Sequence, residues 1–356
     1  MGNLDILLDL GYDTQLDTFI KSHDFADFKI GRIIRESKKI YVVKSQAGNY
    51  HGKISGKLRH EAKSRSDYPA VGDWVVFKMM EKDQVIIHEV LPRKTIIERQ
   101  AIGRFGKKQT IATNVDVAFV MQDIAHDFNL NRLDRLIAIC FASKIKPVVI
   151  LTKIDITHKY ELAERIDQIN KRFKGIPILK LSNKSMEGFL AIQTIIHYGK
   201  TYCFIGASGA GKSTLINNLV GEKVMLTKSL RDKSHKGQHT TSHRELFILK
   251  NSGILIDTPG MRELGVAESF KALEFTFKII FTLALSCKYS DCTHLIEPEC
   301  AVRLALEKNE IDQSYYDNFQ KMKQEQAHFE LSKKGIKDKE MLKKLKSDPN
   351  NKKNRK

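Results

Sequence analysis

The sequence predicts a multidomain chain: a small N-terminal β-barrel, a central α/β domain on a parallel sheet, and a mainly α-helical, metal-binding C-terminal part. Three observations carry this. Between residues 25 and 95 short apolar–polar alternations (I-G-R-I-I, K-I-Y-V-V-K, D-W-V-V-F-K, Q-V-I-I-H-E-V) are punctuated by Gly48, Gly52, Gly56 and Gly72, the pattern of short antiparallel strands. From about residue 110 apolar strands alternate with stretches of helical spacing, which predicts a parallel sheet covered on both faces. Cys287, Cys292, His294 and Cys300 fall within fourteen residues.

A chain of 356 residues has room for two or three domains, each with its own core. Sixty Lys and Arg against 42 Asp and Glu leave a net charge of +18, which points to a polyanionic partner. The basic residues cluster, with eleven Lys or Arg against two Asp or Glu between Lys29 and Arg65, and this favours nucleic acid over a merely solvated surface. No apolar run reaches ~18 residues, so no membrane helix is expected. The first ten residues are acidic and lack a signal-peptide core, so a cytoplasmic location is expected. Three of the five cysteines crowd together, which in that compartment means metal rather than disulfides. Cys140 and Cys203 lie in apolar runs and read as core.

In chain order, residues 1–24 read as a helical lead-in and 25–100 as an OB-like barrel, a fold that often binds oligonucleotides on one face. Tyr41, Tyr50 and Tyr68, interleaved with its positive charge, suggest an RNA-facing surface, whereas Trp74 on an apolar strand reads as core. Residues 101–275 form the α/β domain. A strand at 116–121 precedes a helix at 130–143. A buried strand at 146–151 ends in Thr152-Lys153-Ile154-Asp155, and another at 176–181 ends in Ser182-Asn183-Lys184. Ligands of such sheets sit at the carboxyl ends of the strands. Residues 276–330 hold the cysteine cluster. Residues 331–356, with eleven Lys or Arg against three Asp or Glu, read as a disordered basic tail that orders on RNA.

The chemistry concentrates at residues 206–214, G-A-S-G-A-G-K-S-T, which match the phosphate-loop pattern. Gly206, Gly209 and Gly211 permit a tight turn, so that the amides from Gly206 through Ala207, Ser208 and Ala210 to Gly211 can point at phosphate oxygens. Lys212 brings a positive charge to the β- and γ-phosphates, the Ser213 hydroxyl suits magnesium, and Thr214 completes the motif. The strand at 201–205 and the helix opening at Lys212 make this an anion site. About 45 residues on, Asp257-Thr258-Pro259-Gly260 follows another apolar strand, placing Asp257 near magnesium and the Gly260 amide near the γ-phosphate. Between them, Gly237-Gln238-His239-Thr240-Thr241-Ser242 reads as a loop whose threonine completes the magnesium shell. Thr241 is assigned to the metal and Thr240 to the nucleotide, although spacing distinguishes them poorly.

The residue after D-x-x-G is Met261, and a thioether cannot orient water, so His239 is expected to do so. Thr152, Lys153 and Asp155 resemble the guanine-reading N/T-K-x-D element of GTPases. There the carboxylate accepts from the guanine N1–H and amine while the lysine stem covers the base; adenine offers the opposite pattern. Ser182, Asn183 and Lys184 resemble the companion S-A-K loop, with Asn183 in place of the usual alanine; that contact is main-chain. These base readers precede the phosphate loop, so the expected P-loop GTPase domain is circularly permuted. Three cysteines and one histidine complete a closed tetrahedral set, which reads as one structural Zn2+ held by Cys287, Cys292, His294 and Cys300.

Taken in order, the OB-like start, F-N-L-N-R-L at 128–133, T-K-I-D, G-A-S-G-A-G-K-S-T, G-Q-H-T-T-S, D-T-P-G and C-x-x-x-x-C-x-H-x-x-x-x-x-C closely resemble the bacterial ribosome small-subunit-dependent GTPase A family, over roughly residues 25–325. The resemblance implies a GTP hydrolase using GTP, GDP and Mg2+, a monomer with no membrane partner. It would bind the small ribosomal subunit and its rRNA late in maturation and leave after hydrolysis. A histidine occupies the place of His239 in that family.

Overall fold

The computed structural model describes residues 2–37, 40–100, 108–224, 244–251, 253–257 and 270–347. The chain divides into two compact units, one of residues 1–99 with 109–264, the other of residues 100–108 with 265–356.

In the first unit, helices Gly2–Asp9 and Thr14–Lys21 open the chain. Asp13 caps the second, its carboxylate accepting from the Gln15 and Leu16 amides at 3.1 Å each. Leu7, Leu10 and Leu16 pack on Trp74, Val76 and Leu91, so Trp74 is core as its apolar strand implied. Five strands follow: β1 (Lys29–Ser37), β2 (Ile40–Ser45), β3 (Gly48–Ile54), β4 (Trp74–Met79) and β5 (Gln84–Val90). They pair in the order β1–β2–β3–β5–β4, and β4 returns to β1, closing an OB-like barrel in which only β3 and β5 run parallel. Tyr41 and Tyr50 are not exposed on the barrel surface. Period-two alternation puts Tyr41 and Val43 on the inner face of β2, and both tyrosines lie in the barrel core, 4% and 9% exposed, with Ile33, Phe77 and Ile87. Tyr68 stays half-buried at the rim.

A register shift between Ile33 and Arg35 bends β1. Its first half closes the barrel against β4, while Arg35 and Glu36 pair with Glu245 and Arg244 of a strand far along the chain. After the two-stranded ribbon β6 (Ile96–Gln100) and β7 (Lys108–Thr113) come β8 (Val117–Asp123), β9 (Lys146–Thr152), β10 (Ile178–Leu181), β11 (Thr201–Gly206), β12 (Arg244–Ile248) and β13 (Ile254–Asp257). Their order is β10-β9-β8-β11-β13-β12. The first five are parallel and β12 is antiparallel, joining the barrel through β1 in one eleven-stranded sheet. Both faces are covered. Ala118, Val120, Val149 and Leu151 point to one core with Leu133 and Ile137; Phe119, Met121, Val148 and Ile150 point to the other with Ile192 and Leu215. Such double burial is why these strands read as unbroken apolar runs. Cys140 and Cys203 are fully buried, as expected.

Arg32, 1% exposed, ties these parts together. Its guanidinium donates to the carbonyls of Leu10 (2.6 Å), Gly72 (3.0 Å) and Asn114 (3.3 Å) and to Thr201 Oγ1 (3.0 Å). Burial pulls its pKa down to about 10.

In the second unit, helices Phe270–Thr276, Lys278–Ala284, Ala301–Glu307 and Gln313–Ser347 surround the cysteine cluster. Phe277 packs its ring 5.1 Å from Tyr315 and 5.4 Å from Phe319. The last helix runs on to Ser347, where a disordered tail from 331 had been expected. Lys, Glu, Met and Leu are strong helix formers, and they propagate a helix already nucleated against Phe277.

Candidate nucleotide site and metal cluster

The parallel strands deliver the candidate nucleotide residues to one edge of the sheet. β11 ends in the phosphate loop, β9 in Thr152, β10 just before Ser182, and β13 at Asp257, which is 7% exposed. The chain order reverses at β11, the position where such sheets open a crevice. Gly206 has φ 152°, and a Cβ there would stand 2.3 Å from the Met121 carbonyl, so only glycine lets β11 leave the sheet here. Gly211, at φ 86°, precedes helix Lys212–Val220 and offers no side-chain cap, leaving the helix's first amides directed at the loop. Lys212 Nζ donates to the Gly206 and Ala207 carbonyls, each at 2.7 Å, so its ammonium already sits within the phosphate loop. Ser213 and Thr214 follow half-buried on the first helical turn, Ala210 is buried, and Ser208 and Gly209 are exposed.

The base-side loops are joined to this loop and to each other. Asn183 Nδ2 donates to the Gly211 carbonyl at 3.1 Å. The departure from alanine at this position therefore has a structural role: it fastens the S-N-K loop to the phosphate loop. Buried Ser182 accepts the amides of Lys184 (3.2 Å) and Ser185 (3.0 Å). Thr152 Oγ1 donates to the Gln122 carbonyl at 3.3 Å. Lys153 adopts φ 62°, and its ammonium pairs with Asp123 Oδ2 while Asp155 remains exposed. Sequence reasoning missed Asp123. Its signal, an acidic residue at the end of β8 beside Thr152 in register, depends on knowing that β8 and β9 are neighbours. Burial pushes the Asp123 carboxyl up. The Lys153 ammonium and the amides of His126 and Ala125 outweigh it and hold the group below its ordinary value. His239, Thr240, Thr241, Gly260 and Met261 lie outside the described residues.

In the second unit the Cys287, Cys292, His294 and Cys300 ligand atoms all lie within 4.8 Å of one another. Cys287 Sγ is 3.9 Å from Cys300 Sγ, and His294 Nδ1 is 3.6 Å from Cys287 and 3.5 Å from Cys300. A tetrahedral zinc, with Zn–S of about 2.3 Å and Zn–N of about 2.0–2.1 Å, sets its ligands about 3.5–3.8 Å apart, so this set fits the ion. Burial and the adjacent Cys300 and Cys287 thiols push the Cys292 thiol up to about 12. A divalent cation at their centre reverses that preference. The loop is held from outside. Tyr316 donates to the His294 carbonyl at 2.6 Å, and the Glu297 carboxylate accepts the amides of Thr293 (2.8 Å), Leu295 (3.0 Å) and Ile296 (3.2 Å). His294 itself sits at φ 68°, a left-handed conformation these contacts maintain.

A sequence model of the RsgA GTPase family matches residues 90–267. The small ribosomal subunit biogenesis GTPase RsgA 1 of Oceanobacillus iheyensis is 38% identical over 325 residues, spanning 90% of this chain and 89% of the relative. The small ribosomal subunit biogenesis GTPase RsgA of Opitutus terrae is 37% identical over 334 residues, spanning 90% of each. Among solved structures, YloQ, a circularly permuted GTPase, superposes with a TM-score of 0.60 at 25% identity over 86% of this chain and 97% of that one. YjeQ from Thermotoga maritima shares the fold, with a TM-score of 0.62 at 24% identity over 84% of this chain and 99% of that one. Similarity of this extent, over nine-tenths of the chain, shows common descent: the protein belongs to the RsgA GTPase family and is a GTP-hydrolysing enzyme.

Proposed function

We propose that the protein acts in the late maturation of the small ribosomal subunit, hydrolysing GTP when bound to that subunit and leaving with GDP. The observation that supports this reading best is the continuous sheet. The barrel that carries the basic cluster and the strands that carry the phosphate loop share hydrogen-bonded edges through β1 and β12. A surface charged to meet rRNA is thus built into the same rigid element as the nucleotide loops. The names of the relatives supply the particle: they are biogenesis GTPases of the small ribosomal subunit. The protein would work as a monomer in the cytoplasm; among the described residues no helix is long and apolar enough to cross a membrane.

In this reading the amides of Gly206, Ala207, Ser208, Gly209, Ala210 and Gly211, with Lys212 and Thr214, hold the phosphates. Lys212 meets the charge that develops between the β- and γ-phosphates. Ser213 and Thr241 would ligate Mg2+, which would neutralise phosphate charge; Asp257 would support the metal, and Thr240 and the Gly260 amide would serve the γ-phosphate. Thr152, Lys153 and Asp155 read guanine with Ser182, Asn183 and Lys184. The pairing of Lys153 with Asp123 supports this by holding the lysine stem across the place of the base. Asp155→Asn is expected to exchange guanine preference for xanthine, because the xanthine carbonyl then meets an amide donor. Equal binding of GTP and ATP by the wild type would defeat the base-reading assignment.

His239 would hold the attacking water in the subunit-bound protein, so turnover of the free protein is expected to be slow. His239→Ala should lose subunit-stimulated turnover while keeping GTP and subunit binding. Undiminished stimulated turnover in that variant removes His239 from the mechanism. If the subunit raises GTP affinity without raising turnover even in the wild type, the protein is instead an RNA-binding module gated by nucleotide.

A further inference from the structure

A cavity of about 800 Å³ lies between the barrel strands β1, β2 and β3, the segment 59–70 and β7, and no described residue of the nucleotide loops lines it. Tyr41, Tyr68 and Ile40 form its apolar surface, and Lys53, Arg59 and Arg65 bring three cations to it. Glu36, the one carboxylate among the described lining residues, is engaged by Arg244 at 3.6 Å and also feels the charge of Arg65. Lys53 and Arg59 are in no salt bridge among the described residues. Three cations beside the half-buried ring of Tyr68 suit a phosphate joined to a base. A neighbouring cavity of about 520 Å³ shares Lys53, Ile54 and Arg59 and adds Lys57, His51 and His88, so adjacent phosphates of one strand find cations on either side of Arg59. That continuity favours a polynucleotide over a free nucleotide.

A chain of pairings runs from the cavity wall to Asp257. Glu36 stands opposite Arg244 in the β1–β12 pair, and Arg244 donates to the Thr110 carbonyl at 2.7 Å. Next to them Arg35 stands opposite Glu245 and donates to its carboxylate at 3.0 Å, and Glu245 in turn stands opposite Asp257 in the β12–β13 pair. Two ladder steps therefore separate the cavity wall from the aspartate of D-x-x-G.

We propose that this cavity binds one nucleotide of single-stranded RNA, its phosphate on Arg59 and Arg65 and its base against Tyr68. We further propose that occupancy is passed to the GTP site through Glu36–Arg244 and the β1–β12–β13 ladder. The proposal rests on the reading that the protein acts on rRNA and names the surface that would sense it.

The test uses the full chain, a fluorescein-labelled uridine decamer read by anisotropy, and fluorescent GDP release read by stopped flow. Arg59→Ala with Arg65→Ala should bind the decamer at least about tenfold more weakly, with the salt slope smaller by about 1.4 for two lost phosphate contacts. Tyr68→Ala should weaken binding about tenfold through lost stacking. The control, Lys21→Ala with Lys171→Ala, removes two exposed cations already paired along their own helices and should bind within twofold of wild type. Saturating decamer should change GDP release at least about threefold in wild type but not in Glu36→Gln, whose decamer affinity stays within threefold. If the arginine variant binds like the control, or if heparin competes as well as RNA and Tyr68→Ala has no effect, the nucleotide site is wrong. If the decamer leaves wild-type GDP release unchanged, or alters it equally in Glu36→Gln, the wiring is wrong. Stimulation of GTP hydrolysis by intact small subunits is measured separately, so failure of this cavity and failure of the ribosomal reading give different results.

Discussion

Cys292→Ala is expected to release the metal and unfold much of the C-terminal unit. The reason is the size of the metal term against the size of the core. Structural zinc contributes about 10–16 kcal/mol to folding in zinc-finger peptides near neutral pH. The unit's own core is small, with Phe277, Tyr315 and Phe319 joined by Leu273, Ile280, Val302 and Met322, and its loop holds His294 at φ 68° and Glu299 at φ 57°. Three remaining ligands cannot close a tetrahedron, and the loop loses the bond that offsets its backbone strain. Wild-type protein should carry one zinc per chain by elemental analysis, and the variant none. Hydrogen exchange across 270–347 should rise steeply in the variant while exchange across 117–206 changes little. Freshly purified wild type without zinc, or a variant with unchanged protection, would refute the structural role.

Lys212→Ala is expected to lower GTP turnover about 10²–10³-fold, or about 2.7–4 kcal/mol, the usual cost of removing a preorganised group aimed at developing charge. Here the preorganisation is visible. The ammonium is held within the loop by the Gly206 and Ala207 carbonyls at 2.7 Å each, so little rearrangement is needed when phosphate arrives. Lys212→Arg should not rescue, because a planar guanidinium cannot fit where a compact ammonium bridges two carbonyls. Single-turnover hydrolysis measured with saturating small subunits and GTP is the appropriate readout. Turnover within fivefold of wild type would mean that another cation carries this charge.

Much of the site was legible because its chemistry is local. The phosphate loop, T-K-I-D, D-T-P-G and the cysteine cluster are each short runs whose residue types and spacing are dictated by what they hold. Their order alone pointed to the permutation, and strands buried on both faces announced the parallel sheet. What escaped notice depends on pairing between distant segments. β12 is a short strand whose importance lies in meeting β1, more than 200 residues earlier, and no periodicity within it signals that partner. Asp123 matters only because β8 lies beside β9. Tyr41 and Tyr50 were misread for a related reason. A tyrosine among lysines looks like a stacking surface, and only barrel closure decides which face of a strand is inside. Arg32 looked like one more cation in a basic cluster, yet it is buried and bound to four oxygens. The Asn183 contact with Gly211 likewise needed the two loops in space.

The measurement that bears most directly on the central claim is phosphate release from GTP by the purified protein with small ribosomal subunits, with large subunits, and with neither, repeated as ionic strength is raised. The account predicts slow turnover for the protein alone, a rise of at least about tenfold with small subunits only, and a fall in that stimulation with salt as phosphate contacts are screened. Fast turnover by the isolated protein, or stimulation by large subunits and not by small ones, would contradict it.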